Sequence, residues 1–211
     1  MKSRLPTLPI LALVCGLAVQ ATAAPVGPGE VVRDATEKIL KMVRDPALQG
    51  QAKATERRDA MIKVVDQVFD WDLMARLAMG KYWRRLKKDQ QDEFVPVFKD
   101  LIVTAYLGHV ESYSGEKLVY DDPVVDAEKG RAEVKALVKT EAYGDVDLLY
   151  KLYRAKDAWL VRDVSVLGVS LVRNYRTQLY QLMSQESFKD VMARLRAKIE
   201  EQRKSGGAKL K

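Results

Sequence analysis

Between Glu30 and Ser112 apolar residues recur at steps of three and four. From Lys117 they recur at steps of two for about fifty residues before the helical step returns, so helices flank a run of strands. The first pattern predicts helices over 30–44 (Val32, Ala35, Ile39, Met42, Val43), 55–69 (Met61, Ile62, Val65, Val68, Phe69), 73–79 and 89–112 (Phe94, Phe98, Leu101, Tyr106). Asp45-Pro46 ends the first of these and Gly80 the third. Pro96 removes a backbone hydrogen bond inside the longest helix and is expected to kink it. In the second pattern Leu118 and Tyr120, then Ala132, Val134, Ala136 and Val138, then Val146, Leu148, Tyr150 and Leu152 alternate with polar residues. Turn residues at 128–130, 143–145 and 155–157 separate these runs. Connections this short make the strands antiparallel, and one apolar face requires helices on one side only.

The stretch 158–176, AWLVRDVSVLGVSLVRNYR, changes period within itself. Trp159 to Val166 read as a strand, whereas Val169, Val172, Tyr175, Leu179 and Leu182 fall at helical steps, which places the switch at Gly168 with Ser170 or Ser165 as helix cap. Asp163 stands in this otherwise apolar strand. A buried carboxylate needs a partner, and Arg173, Arg176 or backbone donors near the turn are the nearest. A last helix runs from Ser184 or Ser187 to about Arg203 over Phe188, Met192, Leu195 and Ile199. Residues 205–211 carry no apolar pattern and are expected to be disordered.

The chain ends change the picture next. Lys2 and Arg4 precede an apolar run from Leu8 to Val19, followed by Ala21-Thr22-Ala23. That is the layout of a cleaved secretory signal, too short to span a bilayer, and it predicts export with cleavage after Ala23. Residues 1–23 are thus a signal peptide, 24–204 a single domain and 205–211 a tail. Cys15 is the only cysteine and lies inside the signal, which leaves the exported chain with no thiolate for a metal or a nucleophile. The 211 residues carry 36 Lys and Arg against 29 Asp and Glu, a net charge of +7 that suits an anionic partner such as lipid headgroups rather than nucleic acid in an exported protein.

Catalytic chemistry is thinly provided. One histidine, His109, sits on a predicted helix, and a single histidine excludes a His-based metal cluster. Ser114-Gly115-Glu116-Lys117 has the Ser-x-x-Lys spacing, but the companion motifs of penicillin-binding enzymes are missing. Asp121-Asp122 and Asp126 lie around Pro123, where acids solvate a loop more often than they cleave a glycoside. What the chain has in excess is apolar surface. Met74, Met79, Met183 and Met192, with Trp71, Tyr82, Trp83, Trp159 and Tyr175, either fill a core or line a cavity for flexible chains, and composition does not separate the two.

Two long stretches resemble one family. The run Phe69-Asp70-Trp71-Asp72-Leu73-Met74-Ala75-Arg76-Leu77-Ala78-Met79-Gly80-Lys81-Tyr82-Trp83-Arg84, continuing into Gln90, Phe94, Phe98, Leu101 and Tyr106, is similar to the amino-terminal motif of the MlaC, or toluene-tolerance, family. The stretch 158–176 resembles its carboxy-terminal strand-to-helix motif. Where that family often caps the next helix with threonine this chain has Lys87, and Asp89 is expected to cap instead. The resemblance spans about Glu30 to Arg203 and implies an α+β fold, with amphipathic helices on one face of an antiparallel sheet, an apolar pocket between them and a nuclear-transport-factor-like form. It implies a periplasmic phospholipid carrier, not an enzyme and without cofactor. The implied partners are an inner-membrane ABC transporter with its MCE-domain subunit and an outer-membrane lipoprotein–porin complex. The pocket expected from it is lined by Leu73, Leu77, Phe98, Leu101, Val134, Val138, Leu148, Tyr150, Leu152, Val169 and Val172. A carrier of a hopanoid or aromatic solvent, an exported hydrolase using Ser114 or the Asp121 region, and a structural envelope protein with a filled core are the rival readings.

Overall fold

A computed structural model describes residues 26–113, 115–140 and 144–205. The expected signal peptide with its cleavage point after Ala23, Cys15, Ser114, Tyr143 and the tail from 206 lie outside the described residues. The helices are α1 (Pro28–Arg44), α2 (Ala54–Val68), α3 (Trp71–Met79), α4 (Lys88–Glu111), α5 (Leu171–Gln185) and α6 (Phe188–Ser205). The strands are β1 (Lys117–Tyr120), β2 (Val124–Asp126), β3 (Arg131–Lys139), β4 (Val146–Ala155), β5 (Ala158–Val166) and β6 (Val169–Ser170). They form one antiparallel sheet in the order β1-β3-β4-β5-β6, with β2 continuing the β1 edge of β3. The expected α+β architecture is present.

Local chemistry explains the element boundaries. Asp70 caps α3 by accepting from Leu73 N at 2.8 Å. The expectation that Asp89 caps α4 is corrected: Lys87 is the capping residue, and the Gln90 side chain accepts from its backbone N–H at 3.0 Å. Helix α4 runs continuously through Pro96. Helix α6 includes Ser205, so the tail begins later than the apolar pattern suggests.

The organising stretch 158–176 is also corrected. The chain does not pass straight from strand to helix at Gly168 but first closes a hairpin, with Val166 paired to Val169 and Ser165 to Ser170, and α5 starts at Leu171. Of the two capping serines, Ser170 does the work, accepting from Arg173 N at 3.1 Å. A bulge in β5 shifts the register so that Val161 faces Leu152 while Asp163 faces Lys151, leaving Arg162 as the extra residue. The bulge reconciles an uneven apolar spacing with an even pleat. Val161, Val164 and Val166 thereby all stand beside the inward residues Leu152, Tyr150 and Leu148.

Helix α1 packs against α2 and β3. Its start presses on the connection between β1 and β2, where a Cβ on Gly29 would come within 2.7 Å of the Pro123 ring, so only glycine fits. Further along, Arg33 lies over the Tyr120 ring at 5.3 Å, and Arg44 lies over Tyr113 at 5.2 Å while donating to its hydroxyl at 3.0 Å. At the opposite edge Phe69 bridges to Val161, and Asp70 N donates to Val161 O at 2.9 Å, which covers the first half of β5. Helices α3, α4, α5 and α6 pack on one another above the sheet.

Candidate functional site

Burial along the inward face of the sheet is graded. At one end Ala132, Val134, Leu152, Val161 and Val164 are closed off from solvent, as are Phe94, Phe98, Leu101 and Ile102 on α4. Toward the other end Val138, Val146, Leu148, Tyr150 and Val166 are only half-buried, and so are Tyr106 and Val110 on α4, Tyr113 just beyond it, and Leu118 and Tyr120 on β1. Burial on this face therefore loosens toward the end of β3 and the start of β4, although Ala136, paired with Leu148, stays buried. The half-buried residues there are the candidate lining of a cleft.

Two tyrosines of β4 point to opposite faces of the sheet. Tyr153 points to the surface and donates to the Asp70 carboxylate, a bond that, with some burial, pushes its phenol up to about 12. Tyr150 points inward and is surrounded by protein, and burial holds its phenol well above the ordinary tyrosine range, yet it keeps some accessible surface. Burial likewise raises Tyr120 on β1, and the Thr36 hydroxyl on α1 donates to Val32 O at 2.8 Å. Burial also raises Tyr106, on the α4 wall, and Tyr175, where α5 meets Phe98 edge-on.

The residues expected to line the pocket separate into three groups. Val138, Leu148 and Tyr150 lie in the open part, whereas Phe98, Leu101, Val134, Leu152 and Val172 belong to the closed core. Leu73 and Leu77 are half-buried on α3, whose neighbour is α5, and Leu77 O accepts from Arg176 Nε at 2.7 Å. Val169, expected on a helix, stands in β6 and is 53% exposed. Leu101 also forms part of a separate groove of about 430 Å³ between α4, α5 and α6, floored by Leu179, Leu182 and Leu195 and rimmed by Arg194, Lys198 and Glu201.

Tyr106, Val110, Tyr113, Tyr120, Val166 and Thr36 join the cleft without having been foreseen there. A signal for them existed. Tyrosines mark α4, β1 and β4 at the positions nearest the same end of the sheet, and a tyrosine suits a wall that is apolar along its body and polar at its tip.

Asp163 is buried at 8% exposure, and it accepts from Ser170 Oγ at 2.6 Å and from Val172 N at 3.1 Å. Of the partners expected for it, a backbone donor at the turn holds it, and the Ser170 hydroxyl joins unforeseen. Arg176 instead binds Leu77 O. This carboxylate fastens the start of α5 to β5.

Among the described residues no three His, Cys, Asp or Glu side chains converge in a way that could hold a metal ion. Asp121 and Asp122 are exposed, and His109 is half-buried on α4. No described helix is long and apolar enough to cross a membrane.

Comparison with known proteins follows this geometry. The profile of the family described as MlaC protein matches residues 33–197. Toluene tolerance protein ttg2D of Pseudomonas putida is 25% identical over 163 residues, which cover 77% of this chain and 75% of that one. The solved structure of a phospholipid-binding protein from Ralstonia solanacearum, in complex with a phospholipid, is 20% identical and superposes with a TM-score of 0.73 over 84% of this chain and 99% of its own.

Proposed function

This chain belongs to the MlaC family, and from that premise we propose that it is a periplasmic carrier that takes phospholipid acyl chains into the cleft between its helices and its sheet. It moves lipid between an outer-membrane lipoprotein–porin complex and an inner-membrane ABC transporter with its MCE-domain subunit, and so maintains the lipid asymmetry of the outer membrane. The observation that carries this reading is the graded burial of one continuous apolar face, closed at Leu152 and Val161 and open at Leu148, Tyr150 and Val138. A phospholipid-binding protein of the same fold, solved with a phospholipid bound, supports it.

Physical chemistry gives such a protein its purpose. Two acyl chains of about thirty methylenes, at ~0.8 kcal/mol each, cost on the order of 24 kcal/mol to expose to water. A cleft that imitates the bilayer interior removes most of that cost, so exchange with a membrane-bound partner is nearly balanced. Direction then comes from the partners.

Native mass spectrometry of the freshly purified protein, followed by lipid extraction, tests the reading. Phospholipid masses are the expected result; a hopanoid or an aromatic solvent in its place, or an empty chain, overturns it. Leu148→Trp sharpens the test by filling the open part of the cleft. Lipid occupancy should fall with the melting temperature retained, whereas overpacking a solid core would instead cost about 1–3 kcal/mol of stability.

A further inference from the structure

The tip of the β5–β6 hairpin presents apolar side chains to water from a backbone that resists the residue it carries. Val166 and Val169 close a two-residue loop whose central residues, Leu167 and Gly168, have φ of 49° and 77°. Such turns want asparagine, aspartate or glycine at the first central position, because a branched side chain in the left-handed region crowds its own backbone. Leu167 nevertheless occupies it at 54% exposure, with Val169 at 53% beside it. Leu167 thus serves neither the turn nor the core, and a strained residue with no internal task points outward.

The tip is also rigid and well placed. Leu167 N donates to Asp147 O at 2.8 Å, Ser165 pairs with Ser170, and Ser170 is fastened to the buried Asp163. Val166, at the base of the hairpin, pairs with Leu148 in the open part of the cleft. Two unlike charges flank it: Asp147 on β4 and Arg173 in the first turn of α5, both exposed and neither in an ion pair among the described residues.

We propose that Leu167 and Val169 form a rigid apolar knuckle that seats in a socket on a protein partner, beside the mouth of the cleft. The socket is apolar at its floor, with a basic group facing Asp147 and an acidic group facing Arg173. A fixed aim, flanked by opposite charges, discriminates only against a surface of fixed shape. A fluid bilayer takes an exposed leucine in any orientation and has no use for a strained one. The other exposed valines, Val26, Val124 and Val125, stand on backbone without positive φ and carry no such indication. That the partner handles lipid rests on the carrier reading, but the docking itself is measured without lipid.

Leu167→Asn is the test, because asparagine is the residue the turn prefers. Its melting temperature should rise, which separates loss of docking from loss of fold. The purified exported chain is sedimented with membranes isolated from its own organism, with the same membranes after protease shaving, and with vesicles made from their extracted lipids. The unaltered chain should pellet with the native membranes only, and Leu167→Asn should weaken that binding by about tenfold or more. Equal pelleting of the two proteins with native membranes, including none by either, overturns the proposal. So does binding to the lipid vesicles that Leu167→Asn abolishes, since it would make the knuckle a bilayer contact, and so does a lowered melting temperature. The lipid content of the purified protein decides the carrier reading separately: an empty chain that docks through Leu167 would sink that reading and keep this one.

Discussion

The two ends of the sheet's inward face are built from the same alternating pattern and meet different fates. Leu152 and Leu148 stand four residues apart on β4 with neighbouring valines from β5, yet Leu152 is fully buried and Leu148 is not. Opposite the closed end sit Phe94 and Phe98, stacked at 5.6 Å, with α3 and the Phe69 bridge sealing the edge of β5. Toward the open end α4 carries Tyr106 and Val110, and Arg33 of α1 lies over the Tyr120 ring of β1. Apolar alternation chooses a face. Whether that face becomes core or cleft is set by the size and polarity of what lies across from it.

The largest effect should come from cutting the closed end. Phe98→Ala removes a ring that packs on both Phe94 and Tyr175 and is expected to destabilise the protein by about 3–5 kcal/mol. Leu148→Ala at the open end should cost well under half of that, since a half-buried leucine leaves less cavity behind. Urea unfolding of the two variants measures the difference. Equal losses would mean that the cleft is core throughout, and the distinction between the ends would fall.

An intermediate effect is expected at Asp163, which ties the two layers together where the open end meets α5. Asp163→Asn keeps one acceptor but loses the charge that receives both Ser170 Oγ and Val172 N, and should cost about 1–3 kcal/mol. Arg173→Ala should leave stability nearly unchanged, because its side chain is exposed and unpaired with Asp163. A neutral Asp163→Asn would mean that this carboxylate does not fasten α5 to β5.

Periodicity made the layers and most element positions readable, because helices and strands each need a long apolar stripe to bury. It was silent where an element is too short to have a period. Strand β2 spans three residues after Pro123, and the hairpin at Leu167 lacks the asparagine that usually announces such a turn. The β5 bulge was written in the spacing of Val161, Val164 and Val166, three steps and then two, but it becomes legible only beside the even spacing of β4. For the cleft, the inward residues of β3 and β4 could be named from alternation, whereas its open part could not. Val138 and Val134 look alike in sequence and differ only in what covers them.

The smallest effect concerns Tyr153, whose hydroxyl reaches from the outward face of β4 to Asp70, the cap of α3. This bond links the sheet to the helix layer near the closed end, but it lies at the surface, so Tyr153→Phe should cost about 1 kcal/mol or less. Its pH dependence identifies it. The folded phenol ionises at about 12, above the ordinary value of 10 that the unfolded chain retains, so the unfolded state gives up its proton first as pH rises. The contribution of the bond is therefore complete below pH 10 and is lost between pH 10 and about 12. Urea midpoints of the two proteins should differ at pH 8 and converge on raising the pH through that window. A gap that persists unchanged would show that the ring's packing, not its hydroxyl, joins α3 to the sheet, and the closed end would then owe nothing to Asp70 beyond its cap.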